Sequence, residues 1–467
     1  MNNIKVRLTS IEINDLKNVK HGYINLINQR KNYSSSIIGL YGQNGSGKTT
    51  LIDALALLKL ALTGERIPKK YIEYINVDSS FASLIFNFDI VVSKEETTKY
   101  NVEYSFKICK SSDETIPNKE EDTQYRLAVF DECLSTSIKS NSKKKKITKL
   151  IDTNTEKVFL PISKFKTLVG DDKEGQLNLL VFKKLASMTS RSFIFSKELV
   201  DTIHCNCQDN ELLDMYNALI NYGNYQLFVI DTRNSGLISI GNLPLSFYYE
   251  KGNKSFVGNI LLKLNEPSSI PEEAMNTVEN VIISINTVLK EVVPNLEINI
   301  KKLSTQIREN GLTFCNIQLM SLKNGKAIPL QYESEGIKKI ISVLHLLIVV
   351  YNNPSITVAI DELDSGVFEY LLGELLRIIS ENGKGQLIFT SHNLRPLETL
   401  DKGFVCFTTT NPDNRYIRLI NVKTNNNLRD FYYRDIILGE QNEPIYETTN
   451  NYNIALAFKE AATDHGS

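Results

Sequence analysis

The stretch Gly42-Gln43-Asn44-Gly45-Ser46-Gly47-Lys48-Thr49 constrains this chain more than any other. It is a complete G-x-x-x-x-G-K-T, set between the apolar run Ser36-Ile37-Ile38-Gly39-Leu40-Tyr41 and the helix-forming Leu51-Ile52-Asp53-Ala54-Leu55. Strand, glycine turn and helix start arrive in the order a nucleoside triphosphate requires. Glycines let successive backbone N–H groups turn inward around phosphate oxygens, and the helix opening at Thr49 and Thr50 adds a dipole that favours an anion. Lys48 is placed to reach the terminal phosphates, and the Thr49 hydroxyl to ligate magnesium.

A second constellation lies three hundred residues further on. Ile356-Thr357-Val358-Ala359-Ile360-Asp361-Glu362 reads as a buried, parallel-type strand ending in two carboxylates. Neighbouring residues point to different sides, so the acids can take different tasks: Asp361 holding magnesium through water opposite Thr49, Glu362 orienting or deprotonating the attacking water. Gln331-Tyr332-Glu333-Ser334-Glu335-Gly336 precedes an apolar helix from Ile337 to Val350, so Ser334, Glu335 and Gly336 sit at a helix N-terminus suited to a second phosphate contact. Leu363-Asp364-Ser365-Gly366 follows the acids, and Gln386-Leu387-Ile388-Phe389-Thr390-Ser391-His392 is another buried strand, whose terminal histidine can sense a γ-phosphate and the attacking water. His345, inside the apolar helix, reads as a core histidine.

Composition narrows the class. The 467 residues carry 53 Lys and Arg against 54 Asp and Glu, a balance that argues against general adhesion to nucleic acid and leaves DNA binding to a local patch. The run Lys143-Lys144-Lys145-Lys146 reads as a solvated loop or hairpin tip. Apolar runs are too short for a bilayer span and the N-terminus has no apolar signal region, so a soluble, cytoplasmic protein is expected. Six cysteines are scattered, and His204-Cys205-Asn206-Cys207 lacks the second ligand pair of a zinc frame, so reduced, structural thiols are expected.

Along the chain, Leu8–Leu16 and His21–Leu26 read as a strand pair before the glycine loop. Segments 83–91, 100–108 and 125–130 read as antiparallel strands. Helical patterns dominate from about 150 to 225 and again from Glu272 to Val293, stopped by Pro294; strands return at 297–301 and 313–319.

In this order the motifs resemble the ATP-binding-cassette ATPases, in their soluble branch with SMC, Rad50, RecF and OLD-like proteins. The resemblance covers about 4–110 and 296–420, and implies an α/β fold: a split ATPase head with a mixed sheet around the phosphate loop, an antiparallel β lobe and a mainly helical insert. The boundaries expected are 1–149 for the first half of the head, 150–295 for the insert, 296–420 for the second half and 421–467 for a tail that can serve as an interface. By the same resemblance, ATP and Mg2+ are the ligands; Gly42 to Thr50, Ser334-Glu335-Gly336 as signature and Asp364 in the following loop contact nucleotide; Thr49 and Asp361 hold the metal; and Lys48, Glu362 and the switch residue His392 serve hydrolysis. The signature departs from the common Ser-Gly-Gly because Glu335 replaces a glycine, which bears on turnover more than on ATP binding. Gln124 is the candidate for the lid glutamine. The opening Ile11-x-Ile13-x-x-Leu16-Lys17-Asn18-Val19 is similar to standalone ATPase subunits of bacterial anti-phage systems, such as the PARIS ATPase and its OLD-like relatives. That likeness implies ATP-dependent dimers assembled into a homo-oligomer, a separate nuclease or toxin effector and a phage-encoded trigger. The alternative is a RecF- or SMC-like repair ATPase that clamps DNA.

Overall fold

A computed structural model describes residues 3–27, 34–93, 97–112, 125–140, 143–144, 147–154, 162–170, 173–251, 254–308, 311–420 and 427–463. The chain opens with β1 (Asn3–Leu16) and β2 (Val19–Asn25), then β3 (Ser36–Tyr41), the glycine loop and α1 (Lys48–Leu62). β4 (Phe81–Ser93), β5 (Thr97–Ser112), β6 (Tyr125–Ser140), β7 (Lys143–Lys144) and β8 (Thr148–Asp152) follow. The helices α2 (Ile162–Val169), α3 (Lys173–Met188), α4 (Lys197–Asn206) and α5 (Asn210–Asn221) lead to β9 (Leu227–Ile230), α6 (Thr232–Ser239), β10 (Asn242–Lys251), β11 (Lys254–Lys263), β12 (Ser268–Pro271) and α7 (Glu272–Val292). Then come β13 (Leu296–Ile307), β14 (Thr313–Lys323), β15 (Lys326–Pro329), α8 (Glu335–Asn352), β16 (Thr357–Ile360), α9 (Glu369–Asn382) and β17 (Gln386–Thr390). α10 (Pro396–Thr399), β18 (Val405–Thr408), β19 (Tyr416–Ile417), α11 (Leu428–Leu438) and α12 (Asn451–Thr463) close the chain.

The strand that carries the glycine loop is sewn into the C-terminal half. The central sheet runs β19-β18-β3-β17-β16-β9, with β3 parallel to β18 on one side and to β17 on the other. β3, β16, β17 and β18 are buried at every residue, as parallel strands covered on both faces must be. Ile38, Leu40, Ala359 and Ile388 face α1, whereas Ile37, Val358, Leu387 and Phe389 face α8 and α9. α1 buries Leu51, Ile52, Leu55, Leu57, Leu58 and Leu62, each worth about 1.5–3 kcal/mol relative to exposure. A further tie is Gln386, 2% exposed, whose side chain accepts from Leu8 N at 2.9 Å and donates to Leu8 O at 2.8 Å.

The antiparallel lobe has the order β2-β1-β4-β5-β6-β7, with β8 on β6. β4 alternates strictly between buried and partly exposed, the pattern of a sheet packed on one face. Buried Glu132 on β6 pins the lobe to the loop after α3, accepting from Ser192 Oγ at 2.6 Å, Phe193 N at 2.6 Å, Tyr104 OH at 3.1 Å and Ile194 N at 3.3 Å. Lys143 and Lys144 form the short strand β7; Lys145 and Lys146 lie outside the described residues.

The 150–295 stretch holds α2 to α7, and it also carries strands. β9 completes the central sheet, parallel to β16 with Leu227 opposite Thr357, and β10 and β11 form a hairpin. Leu227-Phe228-Val229-Ile230 is too short for its periodicity to separate strand from helix. α7 packs its apolar face on the sheet β12-β14-β13.

Candidate nucleotide site

The glycine loop is held by its neighbours before any ligand enters. Gly42, Gly45 and Gly47 have φ of 153°, 75° and 92°, values that side chains rarely tolerate. At Gly42 space is also lacking, since a Cβ there would lie 1.9 Å from Thr408 Oγ1. Ser46, buried, donates to Gln43 O at 2.6 Å and also bonds Thr408 Oγ1. Asn18 Nδ2 donates to Gly45 O, and Tyr416 OH to Gly47 O at 2.8 Å. Lys48 Nζ donates to the carbonyls of Gly42 at 2.8 Å and Gln43 at 3.0 Å. Burial draws the Lys48 amine below the ordinary lysine value, against the opposing pull of Asp361, Asp364 and Glu362. Asn44, Gly45 and Thr49 are exposed, whereas Thr50 is buried with its hydroxyl turned to Asn18 Oδ1 at 3.4 Å.

β16 delivers the acids beside this loop. Asp361 is 1% exposed; its Oδ1 accepts from Thr49 Oγ1 at 3.4 Å and from Thr390 Oγ1 at 2.6 Å, and its buried Oδ2 has no hydrogen-bond partner among the described residues. Glu362 stands in the left-handed region at φ 48°. Its N–H donates to Thr390 Oγ1 at 2.8 Å and its carbonyl accepts from Ser365 N at 3.1 Å. Asp364 Oδ2 accepts from the backbone N–H groups of His392 and Asn393, both at 3.0 Å, so the carboxylate joins the loop after β16 to the loop after β17. His392 is exposed.

Ser334 caps α8, its Oγ accepting from Ile337 N at 3.3 Å, and Ser334 and Glu335 are exposed. Gly336 faces the chain's own Gly366, whose carbonyl oxygen is 2.0 Å from where a Cβ would stand. Among the described residues no hydrogen bond joins Ser334, Glu335 or Gly336 to the 42–50 loop. One turn on, Lys339 is 3% exposed and donates to Ser235 Oγ on α6 at 2.7 Å. His345 is buried and bonded through Nε2 to Tyr248 O at 3.1 Å, and burial pushes its imidazole below the ordinary histidine value. His204 bonds Asn217 at 2.6 Å and Cys207 donates to Asp209 O at 3.4 Å. Gln124 lies outside the described residues.

Three contacts escaped the sequence reading. Thr390 bridges the two acids, Thr408 backs the glycine loop, and Glu447 N, from the segment after α11, donates to Gln43 Oε1 at 2.9 Å. Thr390 was traceable, being the polar residue at the end of an apolar strand two places before His392; a backbone donor 404 residues from its acceptor leaves no sequence signal.

The residues fit a magnesium-bound triphosphate. Left-handed glycines before a helix N-terminus make an anion cradle, and an exposed threonine hydroxyl next to a buried carboxylate with a spare oxygen is a donor set for a hard cation. The family model described as "AAA domain, putative AbiEii toxin, Type IV TA system" matches residues 37–398. The chain belongs to this family. The family span starts in β3 and ends in α10, taking in the glycine loop, β9, both acids and His392. Similar solved structures include the SMC head bound to the C-terminal winged-helix domain of ScpA, 11% identical over 88% of this chain and 98% of that one with a TM-score of 0.42. The SMC head domain from Thermotoga maritima is 13% identical over 88% and 99%, TM-score 0.36, and the recombination mediator RecF with ATP is 14% identical over 83% and 92%, TM-score 0.32. No curated protein matches the sequence.

Proposed function

We propose that this chain is an ATP-hydrolysing switch that dimerises around ATP and controls a separate toxin or nuclease effector in an anti-phage system. The observation that carries the ATPase reading is the meeting of the glycine loop with Asp361 and Glu362 at the C-terminal ends of the interior strands β3 and β16, through Thr49 and Asp361. In this reading Lys48 exchanges the carbonyls of Gly42 and Gln43 for the terminal phosphates, an exchange of neutral for charged acceptors that strengthens each bond. Thr49 and Asp361 would hold Mg2+, which when bound neutralises charge on the β- and γ-phosphates. Glu362 accepts the proton of the attacking water, and ADP and phosphate leave. Ser334 and Glu335, exposed and without a hydrogen bond to their own glycine loop among the described residues, support a nucleotide shared with a second copy across a two-fold axis.

The effector reading draws on the family's description, which names a toxin and a type IV toxin–antitoxin system. A nucleotide state can restrain a partner only if the partner binds the two states unequally. The test is a pull-down of the neighbouring gene's product by wild type, Lys48→Ala and Glu362→Gln, with and without phage infection. Retention should depend on Lys48, and release on infection should require Glu362. Equal retention throughout, together with salt-dependent DNA binding, would favour the repair ATPase instead.

A further inference from the structure

Glu362 is one of seven non-glycine residues with positive φ among the described residues, and the one of them that belongs to the candidate site. Its φ of 48° places a non-glycine side chain in the left-handed region, a conformation that costs about 1–3 kcal/mol and persists only where surroundings enforce it. The surroundings here are the end of β17. Leu363 N donates to the Thr390 carbonyl at 3.1 Å, and Glu362 N donates to the Thr390 hydroxyl at 2.8 Å. That hydroxyl has one proton, and it goes to Asp361 Oδ1 at 2.6 Å. One side chain, 1% exposed, therefore satisfies the backbone of one acid and the carboxylate of the other.

We infer that Thr390 is a positioning residue of the hydrolytic site, fixing the turn of Glu362 relative to Asp361 through a single hydroxyl. This rests on the reading of Glu362 as the base. A hydroxyl is needed because the position must accept and donate at once. Valine has the same shape and can do neither, so it would leave Glu362 N without its acceptor at a part-buried position and Asp361 Oδ1 without the closer of its two donors. Serine keeps both bonds. Among the described residues no hydrogen bond joins the glycine loop or Lys48 to the Thr390 hydroxyl, so nucleotide binding measured without Mg2+ should be largely indifferent to it.

The experiment compares wild type, Thr390→Val, Thr390→Ser and Glu362→Gln in steady-state ATP turnover and equilibrium ATP binding, with thermal unfolding as a control. Thr390→Val should lower kcat by about ten- to a hundredfold, the scale of a slightly misplaced catalytic group, while ATP affinity measured without Mg2+ changes by less than about threefold. Thr390→Ser should restore kcat to within about threefold of wild type, which a purely volumetric role would not predict. If Thr390→Val does not fold, Thr390→Ala, which leaves room for water, supplies the same comparison against Thr390→Ser. Wild-type turnover by Thr390→Val or Thr390→Ala, with Glu362→Gln slow, overturns the positioning role alone, as does a Thr390→Ser variant as slow as Thr390→Val. Wild-type turnover by Glu362→Gln removes Glu362 as base, and the role of Thr390 with it.

Discussion

Gly336 and Gly366 approach so closely that a methyl group on the first would lie 2.0 Å from the carbonyl oxygen of the second. The obstacle is backbone and cannot swing aside, so Gly336→Ala must push α8 away from the turn that contains Asp364. That turn holds the N–H groups of His392 and Asn393. Gly336→Ala is expected to cost about 1–3 kcal/mol, the usual range for overpacking, and to slow ATP turnover more than it weakens ATP binding. Thermal unfolding and kinetics of the variant check both parts.

Lys48 bonds two carbonyls of its own loop and exchanges them for phosphates in the proposed mechanism. Lys48→Ala should weaken ATP binding by about 1.5–3 kcal/mol, the worth of hydrogen bonds to a charged group, with little loss of fold stability. Isothermal titration with ATP and Mg2+ measures it.

Glu132 predicts a pH effect remote from the site. Burial raises its carboxyl above the ordinary 4.5, and the four hydrogen bonds it accepts oppose that shift. With the folded value above the unfolded one, the folded chain holds the proton longer. This residue's contribution to stability is therefore greatest at pH below 4.5 and declines as pH rises through the raised folded value. Glu132→Gln should flatten that part of the profile, whereas Glu132→Ala, which strands several buried donors at about 1–3 kcal/mol each, should lose at least about 3 kcal/mol. Denaturant melts across pH 4 to 7 distinguish the two.

The segment after α11 is fastened to the loop between β18 and β19 and reaches the glycine loop through Glu447 N and Gln43 Oε1. Thr410 N donates to Pro444 O at 2.8 Å, Asn411 and Asn414 donate to Glu443 at 2.9 and 3.0 Å, and Ile445 is buried. Ile445→Asp should release this segment at a cost of about 2–3 kcal/mol and make residues 440–463 more sensitive to protease. Limited proteolysis with and without ATP is the readout.

The features legible in the sequence were those that repeat a physical rule over several residues. The glycine loop, the apolar strands at 356–360 and 386–390, and the helix after Ser334 all announce themselves through period, glycine content or a capping residue. What stayed hidden depends on contacts between distant segments. β9 is four apolar residues whose strand character comes from pairing with β16, and Gly336, proposed as a phosphate contact, has a further need for its missing side chain in the approach of Gly366. Glu362 has no local signal for a left-handed backbone; the cause lies in Thr390, 28 residues on.

The division of labour between the acids is tested most directly by the nucleotide that Glu362→Gln holds. After incubation with ATP and Mg2+ and rapid removal of free ligand, chromatography of the bound nucleotide should show intact ATP on Glu362→Gln and ADP on wild type, because loss of a general base slows hydrolysis by about 10²–10⁴-fold without removing the phosphate cradle. Glu362→Gln carrying ADP formed at the wild-type rate would contradict the account.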